Sequence, residues 1–259
     1  MYLIGDIGNT ETKIFLFDQN FKIKKKWNLP SIKIIRKFLY SNMRFLISKR
    51  SKIKKIIFSS VVPKSFFLIK EFLNKEIKKV KVIELKQINL KNLIKLRVNR
   101  KQVGSDRLAN AIGTMEKNKN YIVIDFGTAT TFDVITNNIY LGGIIAPGVN
   151  LSLENLINKA SLIPRIKLNK TSNIIGKNTS DAVKSGFFWG YSGLIDNIIK
   201  LIKKNTQKQF RVILTGGLSH LFKNSLKVKP LIKKDLTING LKKVILKLKI
   251  WKKNYYFVH

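Results

Sequence analysis

The chain opens on a short alternating run, Tyr2-Leu3-Ile4-Gly5-Asp6, and a second follows at Thr12-Lys13-Ile14-Phe15-Leu16-Phe17-Asp18. Their period of two predicts a pair of strands, and the Gly, Asn and Thr between them predict a hairpin with a polar tip. Residues 31–50 carry apolar positions at helical spacing among lysines and arginines and predict a basic amphipathic helix. Lys55 to Ser60 reads as a strand, Pro63 starts a helix reaching Lys78, and Val80 to Leu85 reads as another strand. Asn89 to Lys101 is polar and irregular, and Leu108 to Gly113 is helical.

The strongest strand pattern is Tyr121-Ile122-Val123-Ile124-Asp125-Phe126. It runs into Gly127-Thr128-Ala129-Thr130-Thr131, resumes over Phe132 to Thr136, turns at Asn137-Asn138 and returns as Ile139 to Ala146. Helices over 149–160 and Thr179 to Lys204 follow, then a strand from Arg211 to Leu214 ending in Thr215-Gly216-Gly217. From residue 222 onward the pattern weakens into a lysine-rich helix and tail. Strands alternating with helices in this way predict an α/β protein. The second half also repeats the first: Ile4-Gly5-Asp6-Ile7-Gly8-Asn9-Thr10 lies in register with Val123-Ile124-Asp125-Phe126-Gly127-Thr128-Ala129. Each is an apolar strand, an Asp, any residue, a Gly and a small residue, so an internal duplication into two lobes, 1–115 and 116–259, is the economical expectation.

Charge changes this picture less than its size suggests. With 51 Lys+Arg against 14 Asp+Glu the net charge is +37, the kind of excess that attracts nucleic acid or anionic membranes. The lysines interleave with Ile and Asn along the whole chain and form no single basic tail, so they read as solvated faces, with no specific nucleic-acid partner expected. Asp6 interrupts the opening apolar stretch, and the most apolar later segment, Gly186 to Ile202, contains Asp196 and Lys200. No export, no membrane span and a cytoplasmic location are therefore expected. The absence of cysteine rules out disulfides and thiolate metal sites.

The candidate chemistry lies in three places. At the end of a buried strand, Asp-x-Gly lets the backbone approach phosphate oxygens closely, while Asn and Thr amides and hydroxyls supply donors. A carboxylate there would repel phosphate unless it faced a cation, and in phosphoryl transfer that cation is Mg²⁺. Lys13 could add positive charge to the same site. Gly216-Gly217 would let a flat adenine or ribose lie against backbone. Gly104-Ser105-Asp106-Arg107 admits two readings: Asp106 caps a helix and pairs with Arg107, or Asp106 accepts the proton of an attacking hydroxyl while Arg107 holds an anion. Other nucleotide motifs are missing, since Thr171 stands where the first glycine before Gly176-Lys177 would have to be and no G-x-G-x-x-G occurs. No His/Cys zinc spacing occurs either.

The order of motifs resembles the type III pantothenate kinases. The likeness is carried by Asp6-Ile7-Gly8-Asn9-Thr10 with Lys13, Gly104-Ser105-Asp106-Arg107, Asp125 to Thr131, Gly142-Gly143-Ile144-Ile145-Ala146-Pro147-Gly148, Asn178-Thr179 and Thr215-Gly216-Gly217. It implies a duplicated ribonuclease H-like fold of the actin-like ATPase type, two lobes each with a mixed sheet flanked by helices. It also implies ATP-dependent phosphorylation of pantothenate to 4'-phosphopantothenate, the first step toward coenzyme A. By this resemblance Asp6, Ile7, Gly8, Asn9, Thr10, Glu11, Thr12 and Lys13 contact ATP, as does Thr128. Asp106 is the base; Gly104, Ser105, Asp106, Arg107 and Thr179 contact pantothenate; Asp125 binds K⁺ or NH₄⁺; and the protein is a homodimer. Two positions depart from the family pattern: Arg97 replaces a substrate-contacting Tyr, and Arg100 replaces a Pro. The stretch from Lys242 to His259 also differs from the family end. A kinase for another hydroxylated acceptor, or a regulatory ATP-binding protein that touches nucleic acid, would share the phosphate turns.

Overall fold

The computed structural model describes residues 1–116 and 118–250. The chain divides into two compact units: Met1–Thr114 joined by Leu236–Ile250, and Met115–Asp235.

In the first unit the opening hairpin forms as its pattern requires. β1 (Tyr2–Ile7) pairs antiparallel with β2 (Glu11–Phe17), and on its other side it pairs parallel with β4 (Lys55–Ser60). β1 lies between these two neighbours, which is why its residues are almost all apolar. Gly5 has a packing reason: it sits opposite Phe58 of β4, and a Cβ there would collide with the Phe58 ring. The edges are β3 (Ile23–Pro30) beside β2 and β5 (Val82–Glu84) beside β4, giving the order β3-β2-β1-β4-β5. β3 was not foreseen. Only Trp27 and Leu29 in it are buried, and its exposed lysines guard an open sheet edge against pairing with other chains.

The single helix expected over 31–50 is broken into α1 (Arg36–Asn42) and α2 (Arg44–Ser48), flanked by single 3-10 turns. The cause is at the joint, where Met43 leaves helical geometry and the Trp27 indole N–H donates to the Asn42 carbonyl at 2.9 Å, taking an acceptor that a continuous helix would use. α3 (Pro63–Glu76) begins with proline at its first turn and buries Ile69, Phe72 and Leu73 against the sheet. After the two-residue strand β6 (Lys95–Leu96) comes α4 (Ser105–Thr114), nearly every residue of which is buried.

What covers α4 is α8 (Leu236–Ile250). The two helices meet through small residues: a Cβ on Gly240 would collide with the Ala109 carbonyl, and one on Gly113 would lie 2.9 Å from the Leu236 carbonyl. Thr237 Oγ1 donates to Asn110 Oδ1 at 3.0 Å and Lys243 Nζ to the Gly113 carbonyl at 2.9 Å. Helix Leu236–Ile250 therefore belongs to the first unit, where a division of the sequence at 115/116 had placed it with the second half. Of the C-terminal stretch that departs from the family pattern, residues 251–259 lie outside the described residues.

The second unit repeats the same plan. β7 (Asn120–Phe126), β8 (Ala129–Thr136) and β9 (Ile139–Pro147) form an antiparallel meander; β10 (Arg211–Gly216) pairs parallel with β7, and β11 (Leu231–Ile232) pairs parallel with β10. These five strands, in the order β9-β8-β7-β10-β11, match the five of the first sheet in order and in the sense of each pairing. α5 (Val149–Lys159) and α6 (Thr179–Thr206) contribute Val149, Leu153, Phe188, Ile195 and Ile199 to a core closed by Phe126 and by Phe222 of the short α7 (Ser219–Phe222). The duplication read from two Asp-x-Gly turns thus extends to whole sheets. No described helix is long and apolar enough to cross a membrane.

Candidate active site

The first phosphate-type turn caps β1. Gly8 N donates back to the Glu11 carbonyl at 3.1 Å, leaving Asn9 and Thr10 exposed at the tip. Asp6 and Lys13 are direct cross-strand partners, so their side chains share one face of the sheet, and Lys13 Nζ lies 3.7 Å from Glu11 Oε2. Two residues expected to contact ATP point elsewhere. Ile7 is buried in the core, and the hydroxyl of the fully buried Thr12 lies 2.8 Å from Ser31 Oγ, so either could reach a phosphate only through its backbone. Sequence reasoning missed Ser31. Just past β3, it donates from Oγ to the Gly8 carbonyl at 2.6 Å and from its amide to the Thr10 carbonyl at 2.9 Å. The only signal was the dipeptide Pro30-Ser31, which by itself looks like an ordinary strand end.

Gly104 to Arg107 lie beside this turn at the carboxyl ends of the parallel strands β1 and β4, the edge of an α/β sheet where ligands bind. Val61, the residue after β4, makes the link: its amide donates to the Ile7 carbonyl at 3.1 Å, and its Cγ1 lies 3.6 Å from where a Gly104 Cβ would stand. Such a Cβ would also collide with Asp106 Oδ1, so glycine is required for that carboxylate to fold back. Asp106 sits in the first turn of α4 with Oδ1 accepting the Arg107 amide at 2.8 Å. Burial pushes its carboxyl above the usual carboxylate range, against backbone N–H groups of Arg107 and Asp106 and the charges of Arg107 and Lys86, which pull the other way.

The loop leading into α4 is tied to the exit of β5. The hydroxyl of fully buried Ser105 donates to Glu84 Oε1, Arg100 Nη2 donates to the carbonyls of Lys86 at 2.9 Å and Ile88 at 2.5 Å, and Lys86 Nζ donates to the Lys101 carbonyl at 3.2 Å. Arg100, which stands where the family pattern has proline, thus restrains the loop by side-chain bonds where proline would do so through its ring. Arg97 is exposed. Ser105 is closed off beneath the helix start, whereas Asp106 and Arg107 retain some exposure.

In the second unit Asp125, next to last in β7, lies opposite Thr131, and Gly127 N donates to the Ala129 carbonyl at 3.1 Å, which leaves Thr128 exposed at the tip of a turn one residue shorter. Gly216 has φ +84, and a Cβ on it would lie 2.6 Å from Asp125 Oδ1; the carboxylate rests against bare backbone. Gly217 N donates to the Phe126 carbonyl at 3.2 Å. Gly148 backs the turn so closely that a Cβ would collide with the Thr128 carbonyl. Thr179 is exposed in the first turn of α6, whose N-cap Asn178 accepts the Asp181 amide at 2.9 Å.

The family model for type III pantothenate kinase matches residues 2–201. A type III pantothenate kinase of Pelagibacter ubique (strain HTCC1062) is 54% identical over 241 residues, covering 93% of this chain and 97% of that one. Relatives with the same name from Desulforapulum autotrophicum and Syntrophotalea carbinolica are 36% and 32% identical, over 93% and 96% of this chain and 95% and 100% of theirs. Among solved structures, a conserved Campylobacter jejuni protein described as a Baf family transcriptional activator superposes with a TM-score of 0.62 at 22% identity, covering 96% of this chain and 99% of that one. A Sinorhizobium meliloti protein described as a 2-dehydro-3-deoxygalactonokinase does so with a TM-score of 0.61 at 10% identity, covering 97% and 100%. At those identities the structures speak for the fold alone, the two-lobed actin-like ATPase fold. Matched by the family model over residues 2–201 and by relatives across nearly its whole length, the chain belongs to the type III pantothenate kinases.

Proposed function

We propose that the chain transfers the γ-phosphoryl group of ATP to the primary hydroxyl of pantothenate, with Asp106 as the general base. The observation that carries the role of Asp106 is its position: a largely buried carboxylate, raised in pKa by that burial, in the first turn of a helix beside Arg107 and the phosphate-type turn. Pantothenate brings a carboxylate and a neutral hydroxyl, so its site needs an anion holder and a base, and Arg107 and Asp106 match those needs. A primary alcohol is a weak acid. Asp106 accordingly takes the proton late, as the phosphoryl group transfers, and positioning with charge stabilisation supplies most of the rate.

Residues Asp6 to Lys13 contact the ATP phosphates, Ile7 and Thr12 through backbone only, and Thr128 offers a hydroxyl and an amide to the same nucleotide. Asp6 would offer a carboxylate to Mg²⁺, which fits an ion that usually takes one or two carboxylates and completes its shell with water and phosphate. No group of three acidic, His or Cys side chains among the described residues could hold a metal alone, in keeping with an ion that arrives on the nucleotide. A metal ion held there would offset charge on the phosphates. Asp125, with a neutral Thr131 opposite and bare backbone at Gly216, offers hard oxygen to K⁺ or NH₄⁺. Gly104, Ser105 and Thr179 complete the pantothenate contacts, Ser105 by its backbone. A homodimer is supported by apolar side chains of the second unit left in solvent, among them Ile145, Leu162, Ile174 and Ile175.

The test is direct. Purified protein with ATP, Mg²⁺ and K⁺ should release ADP in step with pantothenate consumed, and a panel of sugars should give none. No phosphopantothenate with ample cofactors, or a sugar preferred to pantothenate, would overturn the reading.

A further inference from the structure

We infer that Ser31 is a positioning residue for the first phosphate turn, holding the turn's carbonyls inward so that amide hydrogen at its tip faces the anion. The inference rests on the reading of Asp6 to Lys13 as an ATP-phosphate site. The hydrogen accounting is unambiguous. The Gly8 carbonyl can only accept, so the single hydroxyl proton of Ser31 is committed to it at 2.6 Å. Thr12 Oγ1, 2.8 Å away, must then donate to Ser31 Oγ, and the result is a one-way chain from Thr12 through Ser31 to Gly8. The amide of Ser31 separately takes the Thr10 carbonyl at 2.9 Å.

A carbonyl oxygen turned toward a phosphate would repel it, and both of these carbonyls are drawn back into buried structure, Ser31 and Thr12 being 5% and 0% exposed. The peptide unit is rigid, and no cis bond occurs among the described residues, so a carbonyl and the next residue's N–H point in opposite directions. Drawing the Gly8 carbonyl inward therefore turns the Asn9 amide outward, at the exposed tip where an anion would arrive. Ser31 reaches the turn because Pro30, at the end of β3, pairs with Glu11 at the start of β2. It never touches the nucleotide and acts only through the backbone of the turn.

A hydroxyl that merely stabilised the fold would affect every ligand alike; one that aims an amide should matter in proportion to phosphate. The experiment compares wild type, Ser31→Ala, Ser31→Thr and Thr12→Val by calorimetric titration with MgATP, ADP and adenosine, alongside steady-state kinetics. Ser31→Ala is expected to weaken MgATP about tenfold, ADP less and adenosine not at all, the size of one well-placed hydrogen bond to an anion. KM for ATP should rise while kcat and KM for pantothenate hold, Ser31→Thr should restore ATP affinity, and Thr12→Val should show a smaller loss with the same order among ligands. Wild-type ATP affinity in Ser31→Ala, or an equal loss for all three ligands, would overturn the inference while leaving pantothenate phosphorylation by the wild type standing. Should Ser31→Ala not fold by circular dichroism, Thr12→Val decides, and an unchanged ATP affinity there overturns it. If wild type binds no ATP, this inference and the proposed function fall together.

Discussion

In the first unit the turn after the central strand has Asn9 and Thr10 at its tip and is backed by a side chain, Ser31; in the second it has only Thr128 at its tip and is backed by a glycine, Gly148. The two backing positions are equivalent, because Glu11 pairs with Pro30 and Ala129 with Pro147, and Ser31 and Gly148 each follow the proline. Behind them stand two buried threonines, Thr12 opposite Ile7 and Thr130 opposite Phe126. Thr12 finds the Ser31 hydroxyl, while Thr130 Oγ1 has no hydrogen-bond partner among the described residues, since Gly148 offers no side chain. The aspartates differ in the same way, Asp6 facing Lys13 and Asp125 facing the neutral Thr131. Two copies of one hairpin have kept their strand scaffold and exchanged the few atoms that decide charge and turn length. On the proposed assignment, the first turn takes polyanionic phosphate and Asp125 of the second a small cation.

The sharpest way to break this division is to show that either turn aspartate is the base. Asp106→Asn should lower kcat by about 10²–10⁴-fold with ATP affinity retained, as expected for loss of a general base. Near-wild-type turnover would return that role to Asp6 or Asp125. The pH dependence has a definite sign. Burial raises the Asp106 pKa in the folded state, so the stability it permits is full below its unfolded value of about 3.9 and is lost as pH rises through the folded one. Asp106→Asn should therefore melt higher than wild type at about pH 7, the gap closing toward about pH 3, while wild-type kcat/KM falls as acid protonates the base above the ordinary Asp range.

Asp125→Asn should abolish stimulation by K⁺ or NH₄⁺ and leave Mg²⁺ dependence unchanged; persistence of K⁺ activation would remove the division of roles between the two turns. Gly148→Ala forces a Cβ into the Thr128 carbonyl and should cost about 1–3 kcal/mol by overpacking, read as a lower melting temperature. Ser31→Gly creates no clash at the matching position and loses only the bonds of its hydroxyl to Thr12 and the Gly8 carbonyl, so it should distort less. The finest test is a matched pair. Thr12→Val breaks a satisfied network and should destabilise by about 1 kcal/mol, whereas Thr130→Val removes a buried hydroxyl with no partner among the described residues and should be neutral or stabilising. Equal effects in urea unfolding would mean that the two turns are supported alike.

Both central hairpins, both Asp-x-Gly turns, α3, α6 and Gly104 to Arg107 were legible in the chain because each rests on local chemistry. A period of two, a proline at the first helical turn, or a glycine after a buried strand is visible within a window of a few residues. β3 was not legible because four of its first residues are exposed and its strand form comes from pairing with β2, a partner its lysines do not announce. The helix expected over 31–50 failed at Asn42 for a related reason, since the competing donor is Trp27 on that unforeseen strand.

Sequence by itself determined the duplication, the α/β class and the family, since these depend on which residues occur and in what local order. Only the tertiary structure decided which lobe holds the last helix, because Gly113, Ala109 and Gly240 are unremarkable until two backbones meet at them. It alone also buried the side chains of Thr12 and Ile7 and brought Ser31 behind the turn, through strand register that places residue 31 against residues 8 and 10. Hydrogen bonding at such separations is set by how sheets pair, and no local pattern encodes it.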